Sequence, residues 1–349
     1  MESEEKPRRR TRYAGTHPKR FAQRYKELDP AKHPETVERV IASGRTPAGS
    51  HLPIMVEEVL EALRPAPGLT FVDATLGHGG HAEALLPRLA PGGRLIALDV
   101  DPLTLPRTEE RLRAAGFGAE LTVRRTNHAA LAAALGELSV PEVHGVLADL
   151  GCSSMQYDDP SRGFTYKHEG PLDLRMNPRR GEPASKLLER WSESDLSRAL
   201  SELSDEPLAE PLARAIKRGA SPRTTTALAA AVRAALSKLP RGQKPEDPRP
   251  TLARVFQALR ITVNDELSTL EAFLKQLPAV LAPGGRAVIL TFHSGEDRRV
   301  KTAFRDGQAS GIYSDVSADP TRPGREEVRR NPRAGPAKLR WAVRANLRR

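Results

Sequence analysis

The sequence predicts an α/β fold: an open, Rossmann-like parallel sheet carrying an inserted helical domain. Three observations lead there. Short apolar runs alternate with helical spacers, as strands and crossover helices do in such sheets. A glycine-rich loop, Gly77-His78-Gly79-Gly80-His81, follows the first run, and the second ends in Asp99 about 20 residues on, where such sheets place an acid for a nucleotide ribose. A long stretch, residues 160–248, then passes without a convincing strand.

Taken in order, residues 1–46 are polar and charged, with Arg8-Arg9-Arg10 and few apolar positions, and are expected to be mostly disordered. Pro47 to Ser50 form a joint. Ile54 to Leu63 read as an amphipathic helix entering the sheet. Strands are predicted at Leu69–Thr75, Arg94–Asp99, Ala119–Arg124 and His144–Leu150. Each is short, apolar and bounded by Gly, Pro or charge, as strands buried on both faces are. Within the helical domain, Ser192 with Asp195, and Thr224 ahead of an Ala-rich run, are N-cap signals. Leu239–Pro250, with four prolines, reads as the linker back. One long helix is predicted over Leu252–Leu277 and a fifth strand over Arg286–Phe292. The sheet domain is therefore discontinuous, 47–159 and 249–349.

The net charge of +11 is concentrated at the ends: residues 1–46 hold 12 Lys/Arg against 7 Asp/Glu, and 321–349 hold 10 against 2. Two basic segments rich in arginine point to a polyanion such as RNA. No run of about 18 apolar residues and no apolar signal core occurs, so no membrane association is expected. A single cysteine, Cys152, excludes an intrachain disulfide and fits a cytoplasmic location.

The glycine loop lacks the G-x-G-x-x-G spacing that a pyrophosphate needs, and an acid, Asp73, precedes it. This disfavours a NAD-linked oxidoreductase and favours S-adenosylmethionine. Asp73 would meet the cofactor's ammonium, Gly77, Gly79 and Gly80 would approach its ribose, and Asp99 would accept from the ribose hydroxyls. A tight turn alone would explain Gly77, but not an acid at two strand ends.

The fourth strand runs into Asp149-Leu150-Gly151-Cys152-Ser153-Ser154-Met155-Gln156. An acid and two hydroxyls at the carboxyl edge of a sheet can hold a planar amine. A hydrolytic serine is disfavoured because the G-x-S-x-G elbow is missing. Cys152 reads as a small apolar filler. The fifth strand ends in Thr291-Phe292-His293-Ser294, which offers His293 either for proton handling or as a structural cap of the next helix. No Cys/His cluster has metal-ligand spacing, so no metal is expected.

Long motifs then converge. Asp73 to His81, Asp149 to Ser154, Arg162-Gly163-Phe164-Thr165, Gly170 to Met176, Phe256 to Leu267, Phe292-His293-Ser294, Asn331-Pro332-Arg333 and Ala337 to Arg340 together resemble the bacterial MraW/RsmH family, from about His51 to Arg344. The resemblance implies a class I S-adenosylmethionine-dependent methyltransferase sheet with a helical insertion. It implies methylation of the N4 amino group of a decoding-centre cytosine in 16S rRNA. Carried over, Gly79, Gly80, His81, Asp99, Asp149 and Gln156 would contact the cofactor. His128, where the family usually has Phe, would stack on adenine. Asp149, Ser153 and Ser154 would orient the amine, with His293 as helper or proton acceptor. Arg162, Phe164, Asp173 and Arg175, with Asn264, would hold the base or its flanking phosphates, with core packing between the domains as the alternative for Phe164. Departures fall at Met155, Gly295 and Ala334-Gly335-Pro336. A non-catalytic RNA-binding or ribosome-assembly protein, and a methyltransferase for a different base, are the alternatives.

Overall fold

The computed structural model describes residues 53–346 and, before them, Glu35. Apart from Glu35, the segment expected to be disordered and the joint at Pro47–Ser50 lie outside the described residues. Helix α1 (Val56–Leu63) leads into β1 (Thr70–Asp73). There follow α2 (Gly80–Leu89), β2 (Arg94–Asp99), α3 (Leu105–Ala114), β3 (Leu121–Arg125), α4 (Leu131–Glu137), β4 (Val143–Asp149) and the short α5 (Ser154–Asp158). Four helices come next, α6 (Ala184–Arg190), α7 (Glu193–Ser204), α8 (Ala209–Arg218) and α9 (Thr225–Ser237). The chain returns through α10 (Arg249–Asn264) and α11 (Glu266–Val280) to β5 (Leu281–Thr291). It finishes with α12 (Ser294–Ala309), β6 (Tyr313–Val316), α13 (Arg325–Arg330) and β7 (Lys338–Arg344).

The seven strands lie in the order β3-β2-β1-β4-β5-β7-β6. The first five are mutually parallel, and β7 runs antiparallel to both its neighbours. This is a class I methyltransferase sheet. Its order reverses between β1 and β4, so their carboxyl ends open a crevice there. One apolar cluster covers one face, with Leu85, Leu86 and Leu95 at its centre. A second covers the other, built on Ile96, Val146, Phe273 and Ile289.

The first five strands occupy the predicted runs, and both predicted N-caps form. Ser192 and Asp195 make a capping box, and Thr224 Oγ1 accepts from the Ala227 N–H. Two expectations fail. The helix predicted over Leu252–Leu277 breaks at Asp265, whose backbone is left-handed (φ 53°) and serves as the end of α10 and the start of α11. The break separates two cores: Leu252, Val255 and Phe256 pack into a third cluster with Phe164, Leu188 and Leu228, whereas Leu270, Phe273 and Leu277 pack on the sheet. The C-terminal basic segment is also partly interior. Lys338 and Arg340 both donate to Asp297, at 2.8 and 2.6 Å, and Arg344 donates to the carbonyls of Pro278 and Ile312. These three cations hold β7 in the sheet. Among the described residues no helix is long and apolar enough to cross a membrane.

Candidate active site

A cavity of about 670 Å³ opens at the carboxyl edge of the parallel strands, between the sheet and the third apolar cluster. That volume lies within the roughly 300–1,000 Å³ of small-molecule sites. Gly77, Gly80, His81, Asp99, His128, Asp149, Ser153, Ser154, Gln156, Phe164, Asn264 and His293 line it. Asp73, Gly79, Arg162, Asp173 and Arg175 do not.

The glycine loop is clamped from α3. Thr108 Oγ1 donates to Gly77 O at 2.7 Å, and Arg111 Nη2 donates to His78 O at 2.6 Å. A Cβ on Gly79 would stand 2.8 Å from Thr108 Cγ2, and one on Gly80 would stand 2.9 Å from the Pro53 ring. Both glycines are required by packing within the protein, whatever occupies the cavity. Asp73 lies behind the wall. It is fully enclosed, accepts the Thr75 N–H at 3.1 Å, and burial pushes its carboxyl up to about 6. It therefore does not face the cavity as expected. His81 donates from Nε2 to Ile54 O at 2.9 Å, with Nδ1 3.8 Å from Asp149 Oδ2. Burial lowers its pKa, so the ring is neutral at pH 7.

Asp99, at the end of β2, accepts the Gly77 N–H on Oδ2 (2.7 Å) and the Asp101 N–H on Oδ1 (2.8 Å). Each oxygen keeps a further lone pair, so the carboxylate is held in place and can still accept from a diol. His128 packs edge-on against Phe273 with ring centroids 5.2 Å apart, and burial drops its pKa to about 4. Its Nε2 has no partner among the described residues.

Asp149 ends β4. Its N–H donates to Thr75 Oγ1 at 2.6 Å, while its Oδ1 is enclosed and has no hydrogen-bond partner among the described residues. Burial, and then the nearby charge of Glu296, push its carboxyl up to about 7. Ser153 is the N-cap of α5: its Oγ accepts the Gln156 N–H, and its N–H donates to Gln156 Oε1. Ser154 opens the helix. The serines thus differ: Ser153 shapes the backbone, and Ser154 Oγ makes no hydrogen bond to a described residue.

His293 caps α12, with Nδ1 accepting the Glu296 N–H at 3.3 Å. With Nδ1 accepting, Nε2 carries a ring proton and stands 3.2 Å from Glu296 Oε1, poorly aligned with it. No lone pair is free, so in this geometry His293 is a helix cap and a donor, which suits the expected helper role and not that of proton acceptor. Burial would raise the Glu296 carboxyl, but His293, Arg260 and the Phe292 N–H outweigh it and hold it below the usual range.

Several expected ligand contacts are tied up within the protein. Arg162 is buried, donating from Nη1 to Asp101 Oδ2 at 2.9 Å and from Nη2 to the carbonyls of Arg175 and Met176. Gln156 Nε2 donates to the same Asp101 oxygen at 2.9 Å. Asp173 and Arg175 pair with each other, and Phe164 is a core residue 6.1 Å from the Tyr157 ring. Asn264 accepts the Met176 N–H and donates to the carbonyls of Leu174 and Arg260.

Sequence reasoning missed Asp101, Arg260, Glu266 and Glu296. Arg260 is buried and binds both oxygens of Glu266 at 2.9 Å, with Nη1 reaching Cys152 Sγ (3.3 Å) and Tyr157 OH (3.0 Å). Cys152 is thus a hydrogen-bond acceptor as well as a filler, and burial raises its pKa. Glu266, His293 and Glu296 bring potential ligand atoms within 4.8 Å of one another, a grouping that spacing along the chain could not reveal. Arg260 already occupies both Glu266 oxygens.

The comparisons agree with this geometry. The sequence pattern of the MraW methylase family matches residues 48–345. The chain is similar to a protein of Lachnoclostridium phytofermentans named ribosomal RNA small subunit methyltransferase H 1, 49% identical over 343 residues, covering 97% of this chain and 93% of that one. A protein of the same name from Agathobacter rectalis is 47% identical over 353 residues, covering 99% of this chain and all of that one. Ribosomal RNA small subunit methyltransferase H 2 of Alkaliphilus metalliredigens is 48% identical over 350 residues, covering 98% of this chain and 99% of that one. Such coverage extends into the N-terminal residues that the family pattern leaves out and that the motifs had placed outside the resemblance. With cavity, motifs and relatives in agreement over nearly its whole length, this chain belongs to the MraW methylase family.

Proposed function

We propose that this chain transfers a methyl group from S-adenosylmethionine to the N4 amino group of a cytosine in the 16S rRNA of the small ribosomal subunit, in the cytoplasm. The observation that carries the reading is a single cavity with two differently prepared acids in its wall. Asp99 is fixed by two backbone N–H groups, and Asp149 is kept short of hydrogen bonds. The names of the relatives support the ribosomal RNA, and the motif resemblance supports the base.

The donor set fits the cofactor: Asp99 has lone pairs for the ribose hydroxyls, and neutral His128 offers a flat ring for adenine. Bound there, S-adenosylmethionine supplies an electrophilic methyl on a sulfonium. The amine's lone pair is delocalised into the cytosine ring, so the protein must raise its nucleophilicity. Asp149 accepts a hydrogen bond from the amine and takes its proton as the new bond forms. Ser154 assists in orienting the amine, and His293 donates from Nε2. The cavity walls would hold the reactants in line. Residues 160–248, extended by α10, form the acceptor-recognition unit over the cavity.

The test is methyl transfer from labelled cofactor to small subunits lacking the modification, with nucleoside mass analysis. N4-methylcytidine at one site is the expected product. Cofactor binding without transfer to the subunits or to free 16S rRNA would sink the assignment.

A further inference from the structure

The folding of β7 divides the C-terminal basic segment in two. Lys338, Arg340 and Arg344 are committed to the sheet, whereas the cations before them are exposed. Arg322, Arg325 and Arg329 make no ion pair with any described residue. Arg325 and Arg329 stand four apart on α13 and so share one helical face. The acids of this segment are already engaged: Glu326 pairs with Arg330, and Glu327 accepts the Met55 N–H at 2.8 Å. That last bond, with buried Ala334 and Ala337, pins α13 beside Ile54, which lines the cavity.

Beyond the end of α13, Arg333 reaches the cavity itself. Arg333 is 43% exposed, lines the wall, and bridges to Asp158 and the Ser154 carbonyl. Its guanidinium lies 5.9 Å from the centre of the Tyr157 ring. Lys167, also exposed and without an ion pair to a described residue, lines the cavity from the helical unit.

We infer that the α13 arginines Arg325 and Arg329, with Arg333 and Lys167 at the mouth, form a docking surface for the phosphodiester backbone of single-stranded RNA flanking the acceptor base. The inference rests on the proposed function. A base can enter the cavity only by leaving its stack, and its flanking phosphates must then cross the mouth. Lys167 and the Asp158-bridged Arg333 at the mouth, with the unpaired guanidinium groups of Arg325 and Arg329 on α13, supply the complementary charge without reading sequence. An acidic protein partner would need the same charge, but not a path ending in a cavity that admits a base.

The test uses the full chain with Arg325→Gln/Arg329→Gln, and with Arg325→Lys/Arg329→Lys as the charge-retaining control. Affinity for a labelled single-stranded RNA is measured over a salt series, together with steady-state transfer to unmodified small subunits. For the glutamine pair, the slope of log affinity against log salt should fall by roughly 1.4, about 0.7 per phosphate contact on a single strand. KM for subunits should rise roughly tenfold, while kcat and affinity for S-adenosylhomocysteine stay within about twofold. The lysine pair should keep the parent slope. A glutamine pair matching the parent in slope and KM overturns the surface. If the parent transfers no methyl to subunits, the proposed function fails, and the RNA salt series still decides the surface.

Discussion

Two carboxylates near the carboxyl edge of this sheet are handled in opposite ways. Asp101, just beyond β2, is 1% exposed and surrounded by donors: Leu103 N–H, Thr104 Oγ1, Gln156 Nε2 and Arg162 Nη1. Burial would raise its pKa, but the Leu103 N–H and Arg162 prevail and hold it below the usual range. Asp149, at the end of β4, has one oxygen enclosed without a partner among the described residues and a carboxyl pushed up to about 7. A satisfied buried acid is a brace, and an unsatisfied one in a cavity wall is the proton acceptor of the proposed reaction. The region around Asp101 has spent its polar groups on structure, including Gln156 and Arg162, which sequence reasoning had assigned to ligands.

The strongest way to break this contrast is to remove the charge of Asp149. Asp149→Asn should lower the single-turnover methyl-transfer rate by about 10²–10⁴-fold, the usual contribution of a positioned proton acceptor. In the parent, the rate should rise about tenfold per pH unit below about 7 and level off above it, since the ionised form accepts the proton. The variant should lack that limb. Its stability should change in the opposite sense. The folded-state pKa lies above that of a free carboxyl, so stability from this group is complete at low pH and is lost as pH rises toward 7. Asp149→Asn should remove that loss, seen as a higher urea midpoint at pH 8. An unchanged rate would dissolve the distinction between the two acids.

Next in size, Asp101→Ala strands the buried Arg162 charge and should cost about 3–5 kcal/mol in urea unfolding. A loss below about 1 kcal/mol would mean that the brace is not held by charge. The smallest effect is expected from His128→Phe. Removing an enclosed nitrogen that lacks a partner should gain roughly 1 kcal/mol of stability, and affinity for S-adenosylhomocysteine by calorimetry should stay within about threefold. A tenfold loss of affinity would instead show that Nε2 itself is bound by the ligand.

What the sequence disclosed follows from the range of the interactions involved. Strands β1 to β5 were legible because burial on both faces leaves continuous apolar runs. Asp99 and Asp149 were legible because strand ends put acids at the sheet edge. β7 was hidden because Lys338, Arg340 and Arg344 count as surface charge until Asp297 and two carbonyls are seen to receive them. Asp101 was hidden because its partners Gln156 and Arg162 arrive from beyond β4 with no local spacing to announce them. The apolar periodicity runs through Asp265 without a gap, so the helix break could not be read.

That break governs how the molecule comes apart. Asp265 closes α10 with its N–H on Thr262 O (3.3 Å) and opens α11 by accepting the Thr269 N–H on its own carbonyl (3.1 Å). The helical core and the sheet core are therefore joined at this point by one residue, with no slack between them. Unravelling α10 strips the first turn of α11 of its support, and α11 is a wall of the sheet core. Heat or urea should meet one cooperative unit here, and a protease should find no early nick at this junction.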